Sequence, residues 1–312
     1  MKYPIGIQTF ETIREDGYVY VDKTALVYRL AHEGQVYFLS RPRRFGKSLL
    51  LSTLKSYFLG QKELFKGLAI EQLEQEWAEY PVFHLSFGTG RFQNPDELER
   101  SLWDFIGNME DIYGRKPNAS TMANRFRSVI ESAHEKTGRK VVVLIDEYDK
   151  PILDVLDSGE VIRTPEGTVK KLEDHHRELL KGFYGVFKDA DPHLRFVFLT
   201  GVTKFSQVSV FSGFNQAKDI SMDSRYEALC GITKEELLTV FDGPICELAE
   251  DLGQTFDETV EQLKAQYDGY HFSVRMTDIF NPFSILNCLD SMRMDNYWFA
   301  SGTPTYLVRL LA

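Results

Sequence analysis

Residues 40–48 have the sequence Ser40-Arg41-Pro42-Arg43-Arg44-Phe45-Gly46-Lys47-Ser48. They follow a short β-rich run at residues 36–39, which predicts a strand, and they precede apolar residues at 3.6-residue spacing, which predict a helix. Backbone N–H groups at the start of a helix, together with the helix dipole, favour a bound anion. The order of strand, glycine-containing loop and helix therefore predicts a phosphate-binding loop in an α/β fold.

Individual residues of this loop fit phosphate chemistry. Gly46 lets the backbone approach phosphate oxygens, Lys47 can reach the β- and γ-phosphates, and the Ser48 hydroxyl can ligate Mg²⁺. The usual pattern begins with glycine, and Arg41 stands in that place. The alternative interpretation is a basic surface turn that caps a helix. As nucleotide contacts we predict Arg43, Arg44, Phe45, Gly46, Lys47, Ser48 and Leu49.

An acidic pair, Asp146-Glu147, directly follows the β-branched run at residues 141–145. A continuous run of this kind predicts a central parallel strand that is buried on both faces. Its carboxyl end lies at the edge where open α/β sheets bind ligands. Hydrolysis of a phosphoanhydride needs a carboxylate for Mg²⁺, which Asp146 fits, and a group that orients the attacking water, which Glu147 fits. The alternative is an acidic pair that merely ends a strand in solvent.

The next strand, predicted at residues 196–200, ends in Thr200, and Thr203 follows shortly after. We assign Thr200 to the catalytic group with Glu147 and Lys47, because a polar side chain there can hydrogen-bond the γ-phosphate or the lytic water. The alternative is a turn threonine that satisfies its own backbone. Lys204 is a weaker candidate for the same face.

Two regions differ in pattern. Up to residue 222 strands alternate with helices, which predicts a parallel sheet with helices on both faces. The predicted elements include a strand at 81–87, helices after Asn94 and over 173–188, and a fifth strand at Ile220. Beyond residue 222 strand signals fade and three helices start at Thr233, Thr255 and Asn281. We expect an α/β domain over 1–222 and a small helical lid domain over 223–312.

Composition excludes several classes of protein. The 312 residues include 36 basic and 46 acidic side chains, so the net charge of −10 argues against direct nucleic-acid binding. The longest aliphatic run, at residues 141–145, is far shorter than the ~20 residues of a membrane helix. The N-terminus lacks the apolar region of a signal peptide. Three scattered cysteines are typical of reduced thiols, which favours a cytoplasmic protein without a membrane partner.

With these motifs in place, the chain resembles the AAA-ATPase-like family of uncharacterised bacterial proteins, in which a P-loop ATPase region commonly precedes a PD-(D/E)xK nuclease-like domain. The matching segments follow one another along nearly the whole chain. They are GIQTF at 6–10, YVYVDKT at 18–24, RPRRFGKS at 41–48, IDEYDKP at 145–151, LTGVTKFS at 199–206, YDGY at 267–270, NPFS at 281–284 and YWF at 297–299.

The resemblance implies a P-loop NTPase with a parallel sheet of the additional-strand type, in which the strand ending at Thr200 lies between the phosphate-loop and acidic-pair strands. It implies a small C-terminal domain that is mainly helical, with a winged-helix-like form as one option. It further implies ATP and Mg²⁺ as cofactors, and places residues 22–24 near the base or the loop. No nuclease-like carboxylate and lysine pattern follows residue 222, so we expect a fragment of a longer protein and do not carry nuclease activity over.

We therefore expect Mg²⁺-dependent ATP binding and hydrolysis that regulates or drives an attached domain or a partner, with homo-oligomers as an option. One alternative is a nucleotide-binding switch that does not hydrolyse; another is a nucleic-acid-associated module. A small-molecule kinase is a more distant alternative. Three further groups each have two interpretations. They are Arg225 as a second sensor or a surface ion pair, Asp174-His175-His176 as a metal cluster or helix surface, and Tyr267, Tyr270, Phe272, Tyr297, Trp298 and Phe299 as the core of the small domain or a base-stacking surface.

Overall fold

The structure, a computed structural model, describes residues 1–163, 167–203 and 217–298. Lys204 and Phe299 lie outside the described residues. The strands are β1 Val36–Ser40, β2 Val82–Ser86, β3 Val141–Asp146, β4 Val161–Arg163, β5 Val169–Lys171, β6 Leu194–Gly201, β7 Lys218–Asp219, β8 Ile232–Thr233 and β9 Ile279–Phe280. The helices are α1 Phe10–Glu15, α2 Thr24–Glu33, α3 Lys47–Phe58, α4 Pro95–Tyr113, α5 Met122–Thr137, α6 Lys150–Leu153, α7 Leu172–Asp189, α8 Lys234–Val240, α9 Asp242–Leu252, α10 Phe256–Tyr267 and α11 Pro282–Ser291.

The main sheet has the strand order β2-β3-β6-β1-β7, and every neighbouring pair in it is parallel. Strand β6 lies between β1 and β3, because Leu199 pairs with Phe38 on one side and with Ile145 on the other. This order confirms the additional-strand sheet that the resemblance implied. Since all strands run in one direction, the phosphate loop after β1 and the acidic pair after β3 lie at the same edge.

Side chains along the central strand β3 alternate between the two faces of the sheet, and this alternation explains why helices cover both faces. Val141, Val143 and Ile145 belong to the core under α4, α5 and α7, whereas Val142 and Leu144 belong to the core under α2 and α3. All six residues of β3 are buried. The prediction of a central strand buried on both faces is therefore confirmed, because only a sheet with helices on both sides can cover both sets of side chains.

Several helix boundaries follow from local capping. Asn94 caps α4, and Thr233 and Thr255 cap α8 and α10 in reciprocal capping boxes, as predicted. The helix that starts after Thr233 ends at Val240, and a further helix, α9, begins at Asp242. The antiparallel hairpin of β4 and β5 was not predicted, because its strands have only three residues each.

The C-terminal helices share a core of their own, whose members are Ile232, Leu237, Phe241, Ile245, Leu248, Val260, Leu263, Tyr267, Phe280, Ile285, Cys288 and Leu289. Short strands β8 and β9 pair antiparallel beside it, in a region where strand signals fade in the sequence. Tyr3, Val19 and Val21 from the N-terminal segment also pack against this core. The domain boundary at residue 222 stays a prediction.

The aromatic residues divide between two locations. Tyr267 and Tyr297 contact the C-terminal core, as predicted. Tyr270 and Phe272 do not, because the chain after α10 turns back and places both rings against Phe45 of the phosphate loop, at centroid distances of 4.7 and 5.5 Å. In the described ranges, no helix combines the length and the apolar character needed to cross a membrane.

Candidate nucleotide-binding site

The loop after β1 depends on the backbone of Gly46. This residue caps α3 with φ of +84°, a left-handed conformation that favours glycine. A Cβ built on it would meet no atom within 4 Å. Glycine is therefore needed for its backbone angles, and the space beside it is open on the side where a ligand can approach.

Arg41 takes the place of the usual first glycine, and it has a structural role. Its guanidinium is buried and donates hydrogen bonds to the carbonyl oxygens of Ser40, Ser221 and Tyr226 at 2.9, 2.7 and 3.3 Å. The same group lies 4.0 Å from the ring centroid of Phe272. Burial lowers the pKa of Arg41 to about 10, so it stays charged at neutral pH. Arg41 thus fastens the loop to the chain segments beside it.

Lys47 lies at the first position of α3 and is 7% exposed. Its Nζ donates to the carbonyl oxygens of Arg41 and Pro42, both at 3.0 Å. Burial lowers the pKa of Lys47, while the charges of Asp146 and Glu147 act in the opposite direction. The ammonium is therefore held against its own loop, within electrostatic reach of the acidic pair.

Asp146 and Thr200 are joined at the ends of neighbouring strands. Asp146 Oδ1 accepts hydrogen bonds from Thr200 Oγ1 at 2.7 Å and from the backbone N of Glu147 at 3.0 Å. Thr200 is fully buried. Its hydroxyl therefore contacts a neighbouring carboxylate rather than its own backbone, which differs from the alternative of a self-satisfied turn threonine. The bond to phosphate or water stays a prediction.

Glu147 has a left-handed backbone with φ of +53°, which is strained for a residue with a side chain and is common at functional sites. Burial raises the pKa of its carboxyl group, as does the charge of Asp146, and Lys47 and Lys150 act in the opposite direction. A glutamate with a raised pKa is closer to the range in which a general base is effective at neutral pH.

Asp149 fixes the turn after β6. Its Oδ2 accepts from the backbone N of Val202 at 2.9 Å, from the backbone N of Thr203 at 2.7 Å and from Thr203 Oγ1 at 2.6 Å. Burial raises the pKa of Asp149, and these hydrogen bonds oppose that rise. Thr203 therefore belongs to the turn that Asp149 holds together, and its hydroxyl contacts this carboxylate rather than its own backbone.

A cavity of about 440 Å³ lies between the loop, the acidic pair, the N-terminal segment and α11. Its charged lining residues are Arg43, Arg44, Lys47, Lys150 and Glu147, so it is cationic within an acidic chain. Gly46, Ser48 and Leu49 also line it. Phe45 does not line it, because its ring is buried against Tyr270 and Phe272.

Several lining residues were missed by sequence reasoning, namely Ile5, Gln8, Gly88, Lys150, Phe283 and Asn287. Three of them lie within matching segments of the family resemblance, which was the signal that could have found them: Gln8 in GIQTF, Lys150 in IDEYDKP and Phe283 in NPFS. Two further contacts join α11 and the C-terminal end to the loop. Arg44 lies 4.7 Å from the ring centroid of Phe283, and Trp298 Nε1 donates to the carbonyl oxygen of Arg43 at 3.2 Å.

A second cavity, of about 100 Å³, adjoins the first at Gly46 and Leu49. Its lining is mostly apolar and comes from the N-terminal segment, α3 and the C-terminal region; it includes Val19, Val21, Phe45, Leu50, Ile232, Phe241 and Leu286. The two cavities together offer a cationic space beside an apolar one. That combination fits an anionic chain attached to a flat apolar ring.

Two other candidates lie apart from these cavities. Arg225 pairs with Asp223 at 2.6 Å and with Glu33 at 3.7 Å, and it lines neither cavity, which favours the surface ion pair over the sensor. His176 is buried, and its Nε2 contacts the carbonyl oxygen of Phe92 at 2.8 Å. Among the described residues no three His, Cys, Asp or Glu side chains form a metal-binding group.

Two comparisons with known proteins agree with this geometry. The model of a family described as "Predicted AAA-ATPase" matches residues 4–211. A curated relative from Azotobacter chroococcum mcd 1, "Uncharacterized protein in vnfD 5'region", is 42% identical over 312 residues. The match covers 99% of this chain and 56% of that protein, so the chain spans little more than half the length of this relative.

Proposed function

The chain belongs to the predicted AAA-ATPase family, and on that premise we propose that it binds ATP with Mg²⁺ and hydrolyses it. The observation that carries this proposal is the cationic cavity at the carboxyl edge of the sheet. Lys47 and Ser48 from the loop and Glu147 from the acidic pair line that cavity together, although the two motifs are about one hundred residues apart in sequence.

The residues present fit a magnesium ion. Ser48 and Asp146 offer a hydroxyl and a carboxylate, the hard oxygen donors that Mg²⁺ prefers. Both hydrogen bonds to Asp146 use Oδ1, so Oδ2 is the oxygen that can accept from a metal-bound water. When bound, Mg²⁺ neutralises charge on the β- and γ-phosphates.

The basic residues of the loop would bind the phosphates. Lys47 would exchange the carbonyl oxygens of Arg41 and Pro42 for phosphate oxygens, which are stronger acceptors because they are charged. Arg43 and Arg44 line the same cavity and add charge beside it. Glu147 would orient the attacking water and accept its proton, and its raised pKa supports that role.

The apolar cavity would hold the base. It adjoins the cationic cavity at Gly46, and its walls come from residues 19–21 of the N-terminal segment and from Ile232 and Phe241 of the C-terminal region. A base bound there would contact both regions at once. Nucleotide binding would therefore bias how the C-terminal helices pack on the sheet, which is the coupling that a lid provides.

The change in the packing of the C-terminal helices would act on a further part of the protein or on a partner. The relative is nearly twice as long as the matched region, and the chain covers 56% of it. We propose that ATP binding and hydrolysis regulate or drive an attached domain, with the nuclease-like domain of the family as the first candidate.

The test combines titration calorimetry with a phosphate-release assay. ATP, GTP and a non-hydrolysable ATP analogue are titrated with and without Mg²⁺. We expect Lys47→Ala to abolish nucleotide binding, and Glu147→Gln to bind ATP while its turnover falls about 100-fold or more. Lys188→Ala, an exposed lysine on α7, is the matched control.

Two outcomes would change the conclusion. If the parent protein binds Mg²⁺–ATP tightly but releases no phosphate, it is a regulatory switch and not a hydrolase. A parent protein that binds no nucleotide would overturn the proposal altogether.

A further inference from the structure

Lys23 occupies an unusual position at the wall of the apolar cavity. Its side chain is 10% exposed, and among the described residues that line this cavity it is the only charged one. Its Nζ donates to both carboxylate oxygens of Glu236, each at 2.5 Å. The described wall therefore has one fixed cationic donor among mostly apolar side chains.

Stability does not account for this arrangement. A buried ion pair is often no more stabilising than apolar side chains of the same volume, because both charges lose their hydration. Burial lowers the pKa of Lys23, and the charge of Glu236 opposes that change. Glu236 thus favours the charged form of the ammonium. An ammonium has three protons and Glu236 has two oxygens, which leaves one donor for an acceptor in the cavity.

The backbone on both sides of the pair is fixed by further hydrogen bonds. Asp22 Oδ1 accepts from the backbone N and the Oγ1 of Thr24 at 2.8 and 2.6 Å, and its Oδ2 accepts from the backbone N of Ala69 at 2.7 Å. Glu236 Oε2 also accepts from the backbone N of Thr233 at 2.8 Å, within the capping box of α8. The donor is therefore held in place before any ligand arrives.

We propose that Lys23 selects the base of the nucleotide by donating a hydrogen bond to a ring nitrogen of a purine seated in the apolar cavity. This inference rests on the proposed function, because it assumes that the base occupies that cavity. A buried donor discriminates strongly against ligands that lack the matching acceptor, since the donor is then left unpaired. Lys23 would thereby be a specificity-determining residue, and Glu236 its positioning residue.

The experiment measures dissociation constants with Mg²⁺ for ATP, for 1-deaza-, 3-deaza- and 7-deaza-ATP, and for inorganic tripolyphosphate, on the parent protein and on Lys23→Met. In the parent, one of the three analogues should bind about 10-fold or more weakly than ATP, because it lacks the accepting nitrogen. In Lys23→Met this difference in affinity between ATP and the analogue should vanish, because ATP should bind about as weakly as the analogue does. The affinity for tripolyphosphate should stay unchanged.

The outcomes separate this inference from the proposed function. If the parent binds neither ATP nor tripolyphosphate, the proposed function fails and this inference fails with it. If the parent binds ATP but Lys23→Met retains the same pattern among the three analogues, only this inference is overturned. It is also overturned if Lys23→Met weakens tripolyphosphate as much as ATP, since Lys23 would then contact phosphate.

A second variant keeps the test decisive should Lys23→Met fail to fold. Glu236→Gln preserves the size of the side chain and removes only the charge that holds the ammonium. The factor by which the sensitive analogue binds more weakly than ATP should therefore fall to less than half of its value in the parent. If Glu236→Gln discriminates between ATP and this analogue as strongly as the parent does, the inference is overturned. Lys234→Met is the matched control, because Lys234 pairs with Glu261 at 3.5 Å on the exposed surface.

Discussion

Thr200 Oγ1 donates a hydrogen bond of 2.7 Å to Asp146 Oδ1, and this bond joins the carboxyl ends of two neighbouring strands. The hydroxyl is fully buried and comes from the strand that the additional-strand order inserts between β1 and β3. The inserted strand therefore orients the carboxylate that we propose for Mg²⁺. Groups that orient a metal ligand in this way commonly change metal affinity when they are removed.

Replacement of this hydroxyl should weaken magnesium use. Thr200→Val keeps the shape of the side chain but removes the donor, so we expect the Mg²⁺ concentration for half-maximal ATP hydrolysis to rise about 10- to 100-fold. Thr200→Ser should restore most of the parent value. Thr203→Val is the control, because its hydroxyl contacts Asp149. An unchanged Mg²⁺ requirement in Thr200→Val would contradict the positioning role.

Asp149 allows a comparison of a substitution that keeps an acceptor oxygen with one that removes it. Its three hydrogen bonds converge on Oδ2, so Asp149→Asn can keep them through its amide oxygen and should cost only about 1 kcal/mol. Asp149→Ala leaves three buried donors without an acceptor and should cost about 3 kcal/mol or more. Urea unfolding measures both. Equal losses for the two variants would show that the charge matters more than the acceptor.

Substitution of Arg41 tests whether the usual glycine of the motif or the hydrogen bonds of the arginine give the more stable loop. Arg41→Gly restores the glycine with which such loops usually begin, yet it removes the bonds to the carbonyl oxygens of Ser221 and Tyr226 and the contact with Phe272. We expect a loss of about 2–4 kcal/mol in the free energy of unfolding. Denaturant titration without nucleotide tests this. If Arg41→Gly is as stable as the parent, the structural role assigned to Arg41 is contradicted.

The raised pKa of Glu147 predicts how stability depends on pH. Between the ordinary value of 4.5 and the raised folded value, the folded protein binds more protons than the unfolded chain, so stability falls as pH rises through that window. Glu147→Gln resembles the protonated form and lacks this fall. Without ligand it should be more stable than the parent at pH 7, and the difference should shrink toward pH 4.

Unfolding of both proteins between pH 4 and pH 8 measures this effect. A parent protein that gains stability over Glu147→Gln as pH rises would mean that the carboxylate is stabilised in the fold, and would remove the argument for a general base with a raised pKa.

Local signals predicted much of the fold. The helix starts at Asn94, Thr233 and Thr255 were predicted correctly because a cap involves only a residue and its next few neighbours. Strand β3 was recognised because five consecutive apolar residues need two covering layers. The hairpin of β4 and β5 was missed, since strands of three residues produce no periodic pattern.

The sequence predicted those members of the candidate site whose chemistry lies within one loop or directly after one strand, as Glu147 does. Gly46, Lys47 and Ser48 follow from the spacing of a phosphate loop, and six of the seven predicted nucleotide contacts line the cationic cavity. Phe45 does not, because the chain after α10 returns to cover its ring. The partner of Thr200 was also missed, because strand neighbours 54 positions apart are set by sheet order.

The amino-acid sequence alone determined the central strands and several of the longer helices, where the caps and the glycine of the loop lie, and which side chains have phosphate and carboxylate chemistry. These properties depend on periodicity and on bonds between near neighbours. Tertiary packing decided the rest: that Arg41 supports the loop, that Lys23 meets Glu236 from 213 positions away, and that burial shifts the pKa values of Lys47 and Glu147. The physical reason is that desolvation and long-range hydrogen bonding arise only when distant segments enclose the same space.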